Sequence, residues 1–170
     1  MYISTTEFHA PSGVALASIR IMPKPQCDTE WKPDVIIYTD AAVADDGTTS
    51  ISYRLTDVTG SVIEEDGYVL GEPHPSHLAE YIAVLKGISV ATEYGYSDPV
   101  IYTDYEGLID HVFGEASPSD EKQLGLKEKI VTVLKTQCNR WMLEYLPRDQ
   151  NEDAHELANR AMNEKVAPAT

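Results

Sequence analysis

Residues 35–40 read Val-Ile-Ile-Tyr-Thr-Asp, and residues 100–104 repeat nearly the same sequence as Val-Ile-Tyr-Thr-Asp. In both stretches a run of β-branched and aromatic residues, which favour strands, is followed by an aspartate. We therefore predict two strands of one sheet that place Asp40 and Asp104 at the same sheet edge. A strand followed by an acid is a common way to hold a carboxylate rigidly, so these two residues are candidates for a functional site.

The hydrophobic pattern of the remaining chain predicts an α/β fold in the order β-β-β-α-β-α-α-β-α, with helices packed on a mixed sheet. Turn residues, caps and periodicity set the expected boundaries. Strands are expected at 34–40, 49–57, 61–69, 99–103 and 140–146, and helices at 76–94, 105–113, 120–136 and 151–165.

We expect three regions: an N-terminal extension of unknown role at 1–33, one domain at 34–165 and a frayed tail at 166–170. The extension contains one strand-like apolar run at 14–22. This run is compatible with an edge strand, a docked extension or a partly disordered arm, and the sequence leaves the three alternatives open.

Composition limits the classes of protein to which this chain can belong. The chain has 170 residues, of which 42% are hydrophobic, and no apolar run has membrane length. The N-terminus lacks the layout of a signal peptide, and Cys27 and Cys138 form neither a disulfide framework nor a metal-binding spacing. We expect a cytoplasmic protein with free thiols, no membrane association and a monomeric state.

The net charge of −15 is unusually negative for a chain of this length. An acidic surface repels nucleic acid. One interpretation is a solvated acidic surface without further meaning. The other is a halophilic protein, since molar salt screens charge repulsion to within about 3 Å.

Glu80 lies inside the predicted helix 76–94, on a stripe shared with Val84, Gly87 and Ala91. These small residues allow the helix to approach the sheet closely, so Glu80 is expected to face the packed side. A buried, unpaired carboxylate costs several kcal/mol, and a bound cation removes that cost. The alternative is an acid stabilised by the helix dipole at the N-terminus.

Asp40 and Asp104 also have a structural alternative, since an aspartate after a strand often caps the following turn or helix. Taken together with Glu80, however, three separate elements each bring one acid to the same end of the sheet. This convergence favours a divalent-metal site.

The same residues resemble the ribonuclease H type 1 family, and most closely its archaeal-like, reverse-transcriptase-like branch. The resemblance covers about residues 34–164. It rests on four ordered motifs: Thr39-Asp40, Ala79-Glu80-Tyr81, Tyr102-Thr103-Asp104 and Pro147-Arg148-x-x-Asn151-x-x-Ala154-x-x-Leu157-Ala158. It implies an RNase H-like fold whose mixed five-stranded sheet has three antiparallel strands followed by parallel strands, flanked by helices.

The resemblance implies a metal-dependent endonuclease that hydrolyses the RNA strand of RNA/DNA hybrids with two Mg²⁺ or Mn²⁺ ions. Asp40, Glu80 and Asp104 match the first three acids of the family's D-E-D-D set. At the fourth acid this chain reads Asn151-Glu-Asp-Ala-His155-Glu-Leu-Ala, where the family has Asn-x-x-Ala-Asp-x-Leu-Ala. His155 is therefore the expected fourth ligand, which would shift metal preference towards Mn²⁺.

Asp153 is the alternative fourth ligand, since it flanks the buried face of the last helix on the opposite edge from His155. Arg148 and Asn151 are expected to contact the substrate. Ala41 and Tyr105 depart from the small residues that the family usually has after the first and third acids.

The main alternative function is a catalytically weakened or inactive module on the same fold that binds nucleic acid. A DNA exonuclease of the Asp-x-Glu type is disfavoured because Ala42 stands where the second acid would be. A nucleic-acid mimic is disfavoured because mimicry needs exposed charge, whereas Glu80 is expected to be buried.

Overall fold

The computed structural model describes residues 31–168. The predicted run at 14–22, Cys27 and most of the N-terminal extension therefore lie outside the described residues, as do the last two residues of the tail. Within the described residues, no helix is both long and apolar enough to cross a membrane.

A five-stranded mixed sheet forms the centre of the fold, in the strand order β3-β2-β1-β4-β5. The first three strands are antiparallel, whereas β4 and β5 run parallel to β1. This arrangement confirms the predicted fold class. The strands are β1 (Val35–Val43), β2 (Thr49–Thr56), β3 (Val62–Val69), β4 (Pro99–Thr103) and β5 (Met142–Tyr145).

Four helices complete the predicted element order, and one short 3₁₀ turn was not predicted. Asp120 caps α3, because its carboxylate accepts a hydrogen bond from the Gln123 backbone N–H at 2.9 Å. Asp104 does not cap α2, whose N-cap position is taken by Tyr105. The helices are α1 (Ser76–Glu93), α2 (Glu106–Phe113), α3 (Glu121–Gln137) and α4 (Glu152–Glu164), with the 3₁₀ turn at Arg148–Gln150.

The helices cover the two faces of the sheet unequally. The main core lies on one face, where buried residues of α1, α2 and α3 pack on alternate residues of β1, β2, β4 and β5. On the other face α4 crosses β1, β2 and β3. Two β2 hydroxyls fix α4 there, since Ser50 donates to the Ala158 carbonyl at 2.7 Å and Ser52 to the Ala154 carbonyl at 2.6 Å.

Strand β1 continues three residues beyond the predicted end at Asp40, because 41–43 pair with β2 up to Val43 opposite Thr49. The parallel pairing of β1 with β4 stops earlier, at Tyr38 opposite Tyr102. Asp40 therefore lies on a strand that still has its β2 neighbour but has lost its β4 neighbour. This divergence opens space beside Asp40 at the end of β4.

Helix α1 approaches β1 closely at Gly87. A Cβ atom at this position would lie 2.8 Å from Cγ2 of Ile37 and 3.1 Å from Cγ2 of Thr39, which is too close for any side chain without a shift. The predicted stripe of small residues thus sets the distance between α1 and the sheet. This distance positions the carboxylate of Glu80, two helical turns earlier.

Candidate metal centre

The structure brings Asp40, Glu80 and Asp104 together. One ligand oxygen from each of the three carboxylates lies within 4.8 Å of the others. Asp40 comes from β1, Glu80 from the second turn of α1, and Asp104 from the residue directly after β4. Three different elements therefore converge on one small volume at the point where β1 and β4 separate.

Burial distinguishes this cluster from ordinary surface acids. Asp40 is 1% exposed and Glu80 is 5% exposed. Oδ1 of Asp40 and Oε2 of Glu80 are buried and have no hydrogen-bond partner among residues 31–168. A buried carboxylate oxygen without a partner is costly, and oxygen ligands of this kind are what Mg²⁺ and Mn²⁺ prefer. The donor set therefore fits a divalent cation.

The pKa values of all three carboxyls are raised. Burial is the largest cause in each case, and it raises the pKa of Glu80 well above its ordinary value. The Asp104 carboxylate adds to the rise for Asp40 and Glu80 by charge repulsion. The three acids thus resist carrying three negative charges together, and a cation between them would favour their ionised forms.

His155 reaches the cluster from α4 by contacting Asp40. Its Nδ1 lies 2.8 Å from Oδ2 of Asp40, and its Nε2 lies 2.9 Å from the side-chain amide nitrogen of Asn159. With the proton on Nδ1, the imidazole donates to Asp40 and accepts from Asn159, so both contacts are satisfied. In this state His155 orients Asp40, and neither ring nitrogen has a free lone pair.

Arg148 is the cation beside the cluster. A terminal nitrogen of its guanidinium lies 3.0 Å from Nδ1 of His155. Because the guanidinium has only donors, Nδ1 cannot accept from Arg148 while it donates to Asp40. The positive charge of Arg148 also lowers the pKa of all three clustered carboxyls, although burial outweighs it. Arg148 is exposed, so it remains accessible to an anionic ligand.

Asn151 lies buried beside β1, and its predicted contact with substrate stays a prediction. Its side chain is 3% exposed, and its amide nitrogen donates to the Thr39 carbonyl at 2.9 Å. Asn151 ties the start of α4 to the residue before Asp40 and so holds the strand that carries the first acid.

Asp153 also lies apart from the cluster. Its carboxylate forms an ion pair with Arg54 of β2 at 2.8 Å, and its side chain is 68% exposed. The structure therefore pairs the alternative fourth ligand with a residue of β2, and Asp153 is not one of the three clustered carboxylates.

Sequence reasoning missed Asn159 and Arg54. Asn159 is four residues after His155, the spacing that puts two side chains on the same face of a helix, so this partner was detectable. The pairing of Arg54 with Asp153 joins residues far apart in the sequence, and no local pattern signals it.

An RNase H-like fold with a largely buried cluster of three carboxylates defines the structural class. The chain belongs to the reverse transcriptase-like family, which matches residues 38–161. This membership confirms the resemblance seen in the sequence. The chain is 24% identical over 127 residues to a Ribonuclease HI of Halobacterium salinarum. The match covers 75% of this chain and 63% of that relative, so the chain spans somewhat less than two thirds of its length.

Solved structures show the same fold. The RNase H1 of the halophilic archaeon Halobacterium salinarum superposes with a TM-score of 0.72 at 24% identity, covering 76% of this chain and 98% of that chain. The N-terminal RNase H domain of a Mycobacterium tuberculosis protein gives 0.71 at 22% identity, covering 79% and 96%. LC11-RNase H1, solved in complex with an RNA/DNA hybrid, also gives 0.71 at 22% identity, covering 76% and 97%.

Proposed function

We propose that this protein is a ribonuclease H, a metal-dependent endonuclease that hydrolyses the RNA strand of RNA/DNA hybrids. The observation that carries the proposal is the cluster of Asp40, Glu80 and Asp104, two of them buried and the third half-buried, whose ligand oxygens lie within 4.8 Å of one another. Membership of the reverse transcriptase-like family and similarity to a Ribonuclease HI support the substrate class. LC11-RNase H1, which shares the fold, has been solved with an RNA/DNA hybrid.

The proposal includes two divalent cations, Mg²⁺ or Mn²⁺, held by Asp40, Glu80 and Asp104. Bound cations of this kind lower the pKa of a bound water and offset the negative charge of a phosphodiester. The unpartnered oxygens of Asp40 and Glu80 are the atoms available to hold them. Because the carboxyls disfavour their ionised forms when alone, cation binding and carboxyl deprotonation are expected to be coupled.

Other residues of the chain bind the substrate and hold the site in position. Arg148, exposed beside the cluster, donates to a phosphate of the hybrid, which offsets part of the repulsion from an acidic protein. Asn151 and Thr39 keep β1 in place, so that Asp40 does not move when charge enters the site. RNA is distinguished from DNA by its 2′-hydroxyl groups, which line the minor groove of the hybrid.

His155 remains our proposed fourth ligand, and its contacts define what ligation requires. Nδ1 must lose its hydrogen bond to Asp40, or Nε2 must lose its hydrogen bond from Asn159. An imidazole ligand would favour Mn²⁺ over Mg²⁺. If His155 only orients Asp40, the two ions should support similar rates at matched concentration.

The second candidate function is a module that binds hybrids without cleaving them. The specific observation in its favour is the hydrogen bond between His155 and Oδ2 of Asp40. While this bond is present, His155 is not a metal ligand, and the site offers three carboxylates in place of four ligands. Such a protein would bind hybrid and cation but release no product.

The test is cleavage of an end-labelled RNA/DNA hybrid with Mg²⁺ or Mn²⁺, at low and molar salt. We expect Asp104→Asn to lower the rate by about 10³-fold or more, since members of one catalytic unit each abolish most of the activity. Asp66→Asn, the same change on an acid of β3 remote from the cluster, should cleave like wild type.

Cuts confined to the RNA strand and lost only in Asp104→Asn would support the ribonuclease H. Hybrid binding by a folded wild type with no cleavage under any condition would support the binding module instead. A rate or stability that rises with salt would support a halophilic protein. We further propose that the protein acts in the cytoplasm as a monomer.

A further inference from the structure

Tyr81 and Tyr105 directly follow two of the clustered acids, Glu80 and Asp104. The two tyrosine rings meet edge to face, with their centroids 6.2 Å apart and their planes at 66°. Aromatic pairs prefer this arrangement, and it contributes stability beyond the area that it buries. The chain segments that carry two of the three carboxylates are therefore in contact through the side chains next to those carboxylates.

Asp104 lies where the sheet no longer fixes the backbone on both sides. The pairing of β4 with β1 ends at Tyr102. The pairing of β4 with β5 ends at Thr103, whose carbonyl accepts a hydrogen bond from the Leu146 backbone N–H at 2.9 Å. The position of Asp104 relative to Glu80 therefore depends on contacts made by the residues that follow β4.

His111 connects Tyr81 to α2 at a second point. The hydroxyl of Tyr81 shares a hydrogen bond with Nδ1 of His111, and the two rings stack with their centroids 6.2 Å apart. Tyr105 is the N-cap residue of α2, whereas His111 lies in its last turn. Within residues 31–168 the backbones of α1 and α2 make little direct contact, so one side chain of α1 holds α2 at both ends.

Gly107 makes room for the Tyr105 ring. A Cβ atom at position 107 would lie 2.8 Å from Cζ and 2.9 Å from the hydroxyl oxygen of Tyr105, so any other residue there would displace the ring. The ring is thus held against the first turn of α2 and in contact with Tyr81. This packing gives a role to Tyr105, which stands where a small residue was expected.

We propose that Tyr81, Tyr105 and His111 are positioning residues, which set the separation of the Glu80 and Asp104 carboxylates and thereby the affinity of the cluster for a divalent cation. We call these three residues the aromatic network. The effect on affinity rests on the proposed function, whereas the network itself is present in the cation-free protein and is tested there first.

The first test measures amide hydrogen exchange in the cation-free full chain by NMR. The Leu108 amide donates to the Tyr105 carbonyl at 3.1 Å and so reports opening at the start of α2. We expect Tyr81→Phe to speed exchange of this amide by about threefold to tenfold, the factor that corresponds to one lost hydrogen bond. Tyr94→Phe removes a hydroxyl bonded to Glu64 at the other end of α1 and should leave this amide unchanged.

The second test measures the affinity for Mg²⁺ and Mn²⁺ by isothermal titration calorimetry. Tyr81→Phe should weaken binding of either ion by about threefold to tenfold, and it should lower kcat for hybrid cleavage without changing KM. His111→Leu should have the same effect. His111→Gln should restore wild-type affinity, because a side-chain amide can donate to or accept from the Tyr81 hydroxyl.

Gly107→Ala separates positioning from stability and serves if Tyr81→Phe fails to fold. Alanine favours a helix over glycine, so this variant should not lose stability in α2. It should nevertheless weaken cation binding, because the added methyl group displaces the Tyr105 ring. A residue with a merely structural role would not produce this combination.

Unchanged exchange of the Leu108 amide in Tyr81→Phe would overturn the proposal. Faster exchange with wild-type cation affinity would overturn it too, since the network would then hold α2 without positioning the carboxylates. A wild-type protein that binds neither ion would overturn the proposed function together with the effect on affinity, and the exchange test would still decide whether the network holds α2.

Discussion

Two groups of three carboxylates, one on β3 and the other formed by Asp40, Glu80 and Asp104, differ in burial and in their partners. On β3, each acid has a partner: Tyr94 donates to Glu64 at 2.8 Å, Arg54 pairs with Glu65 at 3.6 Å, and a backbone N–H donates to Asp66 at 2.8 Å. In the cluster of Asp40, Glu80 and Asp104, two buried oxygens have no partner among the described residues.

This difference distinguishes ordinary surface acids from acids of a functional site. The β3 carboxylates need no bound ligand, because solvent and neighbouring groups supply their hydrogen bonds and ion pairs. In the cluster, Asp40 and Glu80 are buried and Asp104 is half-buried. All three carboxyls have raised pKa values, and the charge of Asp104 repels the other two, so their arrangement costs folding energy unless something else binds. Among the 28 acidic residues of the chain, the cluster of Asp40, Glu80 and Asp104 combines mutual proximity with buried, unpartnered oxygens, and this combination indicates a functional site.

The largest expected effect is on the response to cations. Mg²⁺ or Mn²⁺ at about a hundredfold its dissociation constant should raise the free energy of unfolding of wild type by about 2.7 kcal/mol. Glu80→Gln should lose this rise, and without cation it should be more stable than wild type by about 1 kcal/mol or more, because a buried charge is gone. Differential scanning calorimetry with and without cation measures both changes.

Glu65→Gln on β3 is the matched control and should respond to cations as wild type does. An unaltered cation response in Glu80→Gln would remove the distinction between the two groups of acids.

The next effect concerns Asn151, which holds the strand of the clustered acids. Asn151→Ala should lower the free energy of unfolding by about 1–3 kcal/mol, because the buried Thr39 carbonyl loses its donor. Asn163→Ala, at an exposed position of the same helix, should have little effect. Urea denaturation measures the free energy of unfolding of both variants. Equal values would show that Asn151 does not stabilise β1.

The pH dependence of stability should also separate the two groups. Each clustered carboxyl has a pKa above its ordinary value of 3.8 for aspartate or 4.5 for glutamate, so the folded protein retains protons that the unfolded chain has released. Their contribution to the free energy of unfolding is therefore complete at pH values below the ordinary pKa values. It is lost as the pH rises through the raised pKa values of the folded protein.

Urea midpoints of the cation-free protein between pH 4 and 8 measure this loss. Glu80→Gln should show a shallower decline than wild type, whereas Glu65→Gln should keep the wild-type slope. A decline of the same steepness in all three proteins would place its origin outside the cluster.

The smallest effect is expected for Asp153, whose partner is Arg54. Asp153→Asn should cost no more than about 1 kcal/mol, as is usual for an exposed ion pair. It should leave hybrid cleavage within about twofold of wild type. A loss of cleavage approaching that of Asp104→Asn would restore Asp153 as the fourth ligand.

The sequence was sufficient for the fold because hydrophobic periodicity and turn residues act locally. The apolar runs before Asp40 and Asp104 and the helical pattern around Glu80 each predicted an element that the structure contains. The end of β1 was predicted three residues early, since Ala41 and Ala42 have weak strand preference and pair only because β2 lies beside them.

The clustered acids were predictable for a similar reason. Each follows or interrupts an apolar element, and the topology of the sheet then determines where the carboxylate lies. The contacts of the fourth position were not predictable, because they depend on side-chain choices across elements. Whether His155 contacts a cation or Asp40, and whether Asp153 faces the cluster or Arg54, is decided by residues more than 90 positions away.

Gly87 has a consequence for which ion the cluster can select. The spacing of α1 from β1 is set at this glycine, where a methyl group would meet Ile37 at 2.8 Å, although the ligand that this spacing positions is Glu80. Mg²⁺ requires oxygens at about 2.0–2.1 Å, whereas Ca²⁺ accepts about 2.3–2.6 Å. We therefore expect discrimination by ionic radius to depend on the packing of α1 at this glycine, and a larger side chain there should favour the larger ion.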